Sequence, residues 1–117
     1  MKINIILKDE QKEFLDQVIN DYSLKNSGTS IKSLVSEILD NYDHENVFGE
    51  IRCIGCCFSS DETISVELED KQVLKMKEIF KQYEFEDYDS EEEELSKIVR
   101  SMINFADQEA DLDKLFS

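Results

Sequence analysis

Proline is absent from the 117 residues, and glycine occurs only three times. The first absence suits a mainly helical chain with few rigid connections. The second leaves no glycine-rich loop to cradle a phosphate. Histidine occurs once, as His44 in a polar stretch, so no Ser/His/Asp or Cys/His pairing is there to make a nucleophile and its base. Three cysteines, an odd number, argue against a secreted disulfide framework. No apolar run approaches the ~20 residues of a membrane span. The opening Met1-Lys-Ile leads at once into polar residues, so we expect no signal peptide, no membrane and a cytoplasmic chain. Cations are scarce as well: 13 Lys and Arg stand against 28 Asp and Glu, a net charge of −15. Residues 1–50 hold five lysines against ten acids, and residues 51–117 hold eight cations against eighteen, so the second half is the more acidic. Nucleic-acid binding draws much of its affinity from cations meeting phosphates. This balance disfavours nucleic acid and favours a basic protein partner with fast electrostatic encounter.

What is present is organised around Lys2–Tyr42. Ile3, Ile5 and Leu7 alternate with Lys2, Asn4 and Lys8, the period of a strand. Asp9 sits where a helix N-cap belongs. Phe14, Leu15, Val18, Ile19 and Tyr22 then recur at helical spacing. Asn26-Ser-Gly-Thr29 is a break with capping chemistry. Past it, Ile31, Leu34, Val35, Ile38, Leu39 and Tyr42 repeat the helical stripe. Strand, helix and helix in about 40 residues is too small a unit to close a core alone.

A second copy supplies the partner. At an offset of 61, Ile64, Val66 and Leu68 match Ile3, Ile5 and Leu7, Asp70 matches Asp9, Gln72 matches Gln11 and Tyr83 matches Tyr22. At an offset of 64, Leu95, Ile98, Val99, Met102, Ile103 and Ala106 answer the stripe from Ile31 to Tyr42. The change of offset places three extra residues in the second inter-helix loop. Element order and apolar spacing together point to an internal duplication. The expected third helix runs from about Lys71 to Tyr83, with Met76, Ile79, Phe80 and Tyr83 inward. Ser90 and Glu93 form a capping box that starts the last helix.

Short strand, helix, glycine-containing turn and a second helix with a Ser/Thr-rich start resemble the ribbon-helix-helix (Arc/MetJ-type) family. The residues that carry the resemblance are Lys2–Lys8, Asp9–Tyr22 and Ser27-Gly-Thr-Ser-Ile-Lys-Ser33. It covers about 40 residues twice and rests on pattern. The resemblance implies an antiparallel two-stranded ribbon clasped by four helices, made here by two repeats of one chain. The fold class expected is therefore mainly α (α+β), a single domain over 1–117, with tandem strand-helix-helix units at 2–42 and 63–117 forming a pseudo-dimer. Such a chain would be a monomeric pseudo-dimer or a homodimer. A connecting stretch at 43–62 leaves an alternative open. Asp43–Glu50 is polar, but Ile51-Arg-Cys-Ile-Gly-Cys-Cys-Phe58 is apolar and β-leaning and has no counterpart in the first unit. Paired with the Ile64–Leu68 strand, it would give β-α-α-β-β-α-α around a three-stranded antiparallel sheet.

The family's use of the ribbon is to lay it in the DNA major groove and to seat a phosphate at the start of the second helix. The resemblance puts Lys2, Asn4, Ile6 and Lys8 on the reading face of the first unit, with Thr29, Ser30 and Lys32 at the phosphate. In the second unit the same face carries Thr63, Ser65, Glu67 and Glu69, and the helix start carries Ser90-Glu-Glu-Glu-Glu94. Those glutamates complement the helix dipole themselves and would repel phosphate.

Three thiolates and an imidazole, Cys53, Cys56, Cys57 and His44, can make a tetrahedral zinc site. Adjacent cysteines on a strand point to opposite faces, however, and small buried hydrophobes in a reduced compartment are the plainer reading. We expect no metal, no cofactor and no enzyme. The sharpest candidate is Glu84–Glu94, in which eight of eleven residues are acidic and two of the others, Phe85 and Tyr88, are aromatic. The bland account is a solvated loop before a dipole-complementing helix start. The functional account is a set of aromatic anchors within an acidic field. On that account the partner-binding residues are Glu84, Phe85, Glu86, Asp87, Tyr88, Asp89 and Glu91, Glu92, Glu93, Glu94, with Glu67 and Glu69. The expected role is to bind and neutralise a basic, nucleic-acid-handling protein, as immunity proteins, antitoxins and anti-defence inhibitors do. The alternative is a tandem ribbon-helix-helix transcriptional regulator that holds DNA through Lys2, Asn4, Lys8, Thr29 and Ser30. Leu112, Leu115 and Phe116 form an apolar C-terminal tip that folds back on the core or docks a partner.

Overall fold

Alternation in Lys2–Lys8 makes a strand, β1, and the helical stripes that follow make α1 (Asp9–Tyr22) and α2 (Ser27–Asn41). A short helix α3 (His44–Phe48) leads to strand β2 (Asp61–Glu67), then α4 (Asp70–Gln82) and α5 (Glu91–Gln108). The computed structural model describes residues 2–48, 61–83, 90–108 and 115. Over those residues the fold is mainly helical with one small antiparallel sheet of two strands. The expected third strand at Ile51–Phe58 lies outside the described residues, as do the three cysteines.

β1 and β2 pair with Lys2 opposite Glu67, Ile3 opposite Val66, Asn4 opposite Ser65 and Ile5 opposite Ile64. With the offset of 61, Asn4 and Ser65 are equivalent positions, and they face one another. Ile3 meets the equivalent of Ile5, and Ile5 meets the equivalent of Ile3. This is the pairing a two-fold axis between Asn4 and Ser65 would produce. At that point the Ser65 hydroxyl donates to Asn4 Oδ1 over 3.1 Å. A slip of one residue would turn every apolar side chain outward, and the burial shows why the register holds. Ile5, Leu7, Val66 and Leu68 are buried inward, while Lys2, Asn4, Thr63, Ser65 and Glu67 are exposed on the other face.

The helices close the inner face. Phe14, Leu15 and Val18 of α1, Ile31, Leu34, Val35 and Ile38 of α2, Val73, Met76 and Ile79 of α4, and Leu95, Ile98, Val99, Met102 and Ile103 of α5 share one core. The units interlock: α2 packs on β2, and α5 packs on β1. Each unit therefore completes the other's core, which neither could close alone. Leu115 is buried against the same core, so the C-terminal tip folds back at that residue.

The helix ends differ from expectation in two places. Asp9 and Asp70 are the first helical residues, and the caps are Lys8 and Glu69, one position earlier. The cause is a matched pair of glutamines. Gln11 Oε1 accepts the Lys8 N–H at 2.9 Å, and Gln72 Oε1 accepts the Glu69 N–H at 3.0 Å. Asp9 and Asp70 then serve the first turn, where a negative charge complements the dipole. The polar connection after Tyr42 also holds a helical turn, α3. The Asp43 carboxylate accepts the Glu45 N–H at 3.1 Å, and Val47 and Phe48 are buried. His44, in the same turn, bonds the Leu39 carbonyl over 3.2 Å. Phe48 meets Tyr83 ring to ring at 6.1 Å. The Tyr83 hydroxyl titrates above its ordinary range, first because burial disfavours the phenolate, then because it bonds Glu45 and lies near the charges of Glu45 and Asp43.

Candidate functional surfaces

Three surfaces carry the residues expected to act: the outer face of the ribbon, the start of α2 and the start of α5.

On the ribbon, Lys2 and Asn4 are exposed and Lys8 is half-buried, and Ile6 is half-buried between Asn4 and Lys8 on the same face. The register places Glu67 directly opposite Lys2, so one cation expected on a phosphate already has a carboxylate beside it. The centre of the face is uncharged, made of the hydrogen-bonded Asn4–Ser65 pair and the Ile6–Thr63 pair. The edges of the ribbon are met by helices. The Ile6 N–H donates to Ser96 Oγ at 2.8 Å, and the Ile6 carbonyl accepts from Arg100 Nη1 at 2.7 Å. Thus α5 satisfies the polar groups that an open edge would offer to another strand. On the other strand, α2 comes so close at Gly28 that an added Cβ would stand 2.9 Å from the Ser65 carbonyl oxygen. Glycine is required there for the approach.

At the start of α2, Asn26 is the cap, and its Oδ1 accepts the Thr29 N–H at 2.8 Å. A groove of about 500 Å³ opens in front of it, lined by Lys2, Asn26, Gly28, Thr29, Lys32, Ser65 and Glu67. Thr29 is exposed, as expected for an anion contact. Ser30 is not: it is fully buried, and its hydroxyl donates to the Asn26 carbonyl at 3.1 Å. Ser30 therefore supports the cap from inside and is removed from the candidate contacts. Lys32, expected beside Thr29 at this place, is exposed and lines the groove.

The start of α5 has the opposite character. Ser90 Oγ accepts the Glu93 N–H at 3.2 Å, and Glu91, Glu92, Glu93 and Glu94 fill the first turn. Glu91 also reaches back to Lys77 of α4 at 2.6 Å. Glu67 and Glu69 are exposed at the far end of β2, Glu67 on the groove wall and Glu69 paired with Lys71 at 3.4 Å. The structure thus separates Glu67 and Glu69, which sit with α2, from the α5 glutamates. Glu84, Phe85, Glu86, Asp87, Tyr88 and Asp89 lie outside the described residues. Among the described residues, no helix is long and apolar enough to cross a membrane.

No family model, no curated protein and no solved structure matches this chain.

Proposed function

We propose that this chain is a small acidic protein that binds and neutralises a basic, nucleic-acid-handling protein partner, working on a ribbon-helix-helix pseudo-dimer as its scaffold. Immunity proteins, antitoxins and anti-defence inhibitors share that mode of action. The observation that carries the reading is the asymmetry of the two second-helix starts. The α5 start presents four consecutive glutamates, where a site for nucleic acid would present free N–H groups and cations. The carboxylates would enter a cationic groove that otherwise holds nucleic acid, and Glu84–Asp89, which precede them in the sequence, are further candidates for the contact. The register supports the pseudo-dimer, because equivalent residues of the two units meet at Asn4 and Ser65. A cytoplasmic location fits such a role.

A second reading, a tandem ribbon-helix-helix DNA-binding regulator, is favoured by one observation: the groove before α2 gathers Lys2, Thr29 and Lys32 at a helix N-terminus.

Titration of the labelled protein with protamine, an arginine-rich probe, and with mixed-sequence duplex DNA at about 50 mM salt decides between them. The expected result is protamine binding and no DNA binding. Replacing Glu91, Glu92, Glu93 and Glu94 by glutamine should weaken protamine binding more than the charge-matched control Glu13→Gln, Asp16→Asn, Asp21→Asn and Glu37→Gln. Equal weakening by both sets would sink the assignment to α5. Tight duplex binding, lost in a Lys2→Ala and Lys32→Ala pair, would make the chain a regulator.

A further inference from the structure

The two units depart from each other most at one pair of equivalent places. In the first, Phe14 of α1 is buried, Ile103 of α5 is buried, and the Gln11 amide donates from Nε2 to Asn104 Oδ1 at 3.0 Å. Arg100, one turn along α5, is committed to the Ile6 carbonyl. Here α1 and α5 pack against each other. The equivalent positions on α4 and α2 are Lys75, Leu39, Gln72, Asp40 and Ser36. Phenylalanine has become an exposed lysine, the buried isoleucine a half-buried leucine, and the arginine a serine. The apolar flank of α4 has moved instead to Val73, which is buried where its equivalent Lys12 is partly exposed. The result is a cleft of about 310 Å³ between α2 and α4. The Gln72–Ser36 hydrogen bond of 2.8 Å belongs to its lining, with Leu39 the one apolar contribution and Asp40, Glu69, Lys71 and Lys75 the charged ones.

We propose that this cleft receives one aromatic side chain of a partner protein. The molecule carries its own template for the occupant: at the position equivalent to Lys75 a phenyl ring, Phe14, is buried in the core, one helical turn from the paired glutamine Gln11. A ring in the cleft would lie on Leu39 and under the Lys75 stem, where an ammonium can also meet its face. A cleft of this size is at the lower end of those that hold small ligands, which suits a single ring. Asp40, Glu69, Lys71 and Lys75 then form a charged rim around the single apolar contact at Leu39. The inference goes beyond the acidic surface at α5 and does not depend on it, since the two lie on different helices.

The test uses the full chain, ¹⁵N- and methyl-labelled, titrated with N-acetyl-phenylalanine amide and, separately, N-acetyl-leucine amide. The phenylalanine probe should move the amide signals of Ser36, Leu39 and Asp40 and the Gln72 side-chain amide, with ring-proton NOEs to the Leu39 methyl groups. The leucine probe should move them several-fold less. Lys75→Phe should fill the cleft, abolish the shifts and raise the melting temperature. Phenylalanine shifts absent from these residues, matched by leucine or unchanged in Lys75→Phe would each overturn the proposal. The NOEs to Leu39 test it in wild type, whatever the variant's stability.

Discussion

The starts of α2 and α5 occupy equivalent places in the two units, yet they have opposite chemistry. At α2, an asparagine cap, a glycine and an exposed threonine leave a groove with Lys2 and Lys32 beside it. At α5, a serine cap is followed by four glutamates, and Ser96 and Arg100 turn inward to hold the backbone of β1. Lys32 and Ser96 are equivalent by the offset of 64, so the same helix position is a surface cation in one unit and an edge clamp in the other. The lesson is that a shared core constrains only the inward residues. Leu34 and Ile98 must both be large and apolar, while the outward positions beside them are free to diverge in sign and in task.

The largest effect should come from that shared core. Leu34 and Ile98 are equivalent and both fully buried, and each cut to alanine should cost about 2–5 kcal/mol. If the interlocked units form one cooperative body, either variant lowers a single urea transition by a similar amount. Two separable transitions, or one variant that melts only its own unit, would break the equivalence.

Gly28→Ala sharpens the comparison at the ribbon. Relief of backbone entropy alone would make this change stabilising by up to about 1 kcal/mol. The new Cβ would instead meet the Ser65 carbonyl oxygen at 2.9 Å, so something must shift, and a net loss of about 1–3 kcal/mol is expected. Denaturant midpoints decide the sign. A stabilised variant would mean that α2 can move off β2 at little cost.

The smallest effect concerns α3, where Glu45 bonds Tyr83. Tyr83 has a raised pKa in the folded protein, so the folded state holds the phenolic proton more tightly than the unfolded chain does. Its contribution is fully present below the unfolded value of about 10 and is lost as pH rises through the folded value. Stability should therefore fall above pH ~10 more steeply in wild type than in Tyr83→Phe. Parallel curves would show that Asp43 and Glu45 do not act on this hydroxyl.

Much of the fold could be read from periodicity. The strand alternation, the four helical stripes and the offset between units all reflect which residues must leave water, and that is a local property of sequence. Helix starts were legible to within one residue. Asp9 and Asp70 have good cap chemistry, but Gln11 and Gln72 reach back and move the caps to Lys8 and Glu69. The candidate surfaces were legible only in part. Thr29 and Ser30 are neighbours of similar chemistry, and only the rotation of α2 against the core decides that Ser30 is inside and Thr29 outside. Likewise nothing local distinguishes Lys75, at the lip of a cleft, from any other surface lysine. The contrast appears only when its equivalent, Phe14, is seen to be buried in the core.

By itself, then, the sequence determined the two strands and the four long helices, their order, the inward faces and the excess of acid in the second half. Each of these depends on composition or on spacing within one segment. Only the tertiary structure decided that Asn4 faces Ser65, that Glu67 stands opposite Lys2, that each second helix packs on the other unit's strand, and that a cleft opens between α2 and α4. Those facts depend on pairings between residues far apart in the chain, from 36 positions for Ser36 and Gln72 to 94 for Ile6 and Arg100. The physical reason is that such pairings are selected by burial of the whole core at once, and no single segment carries the information for them.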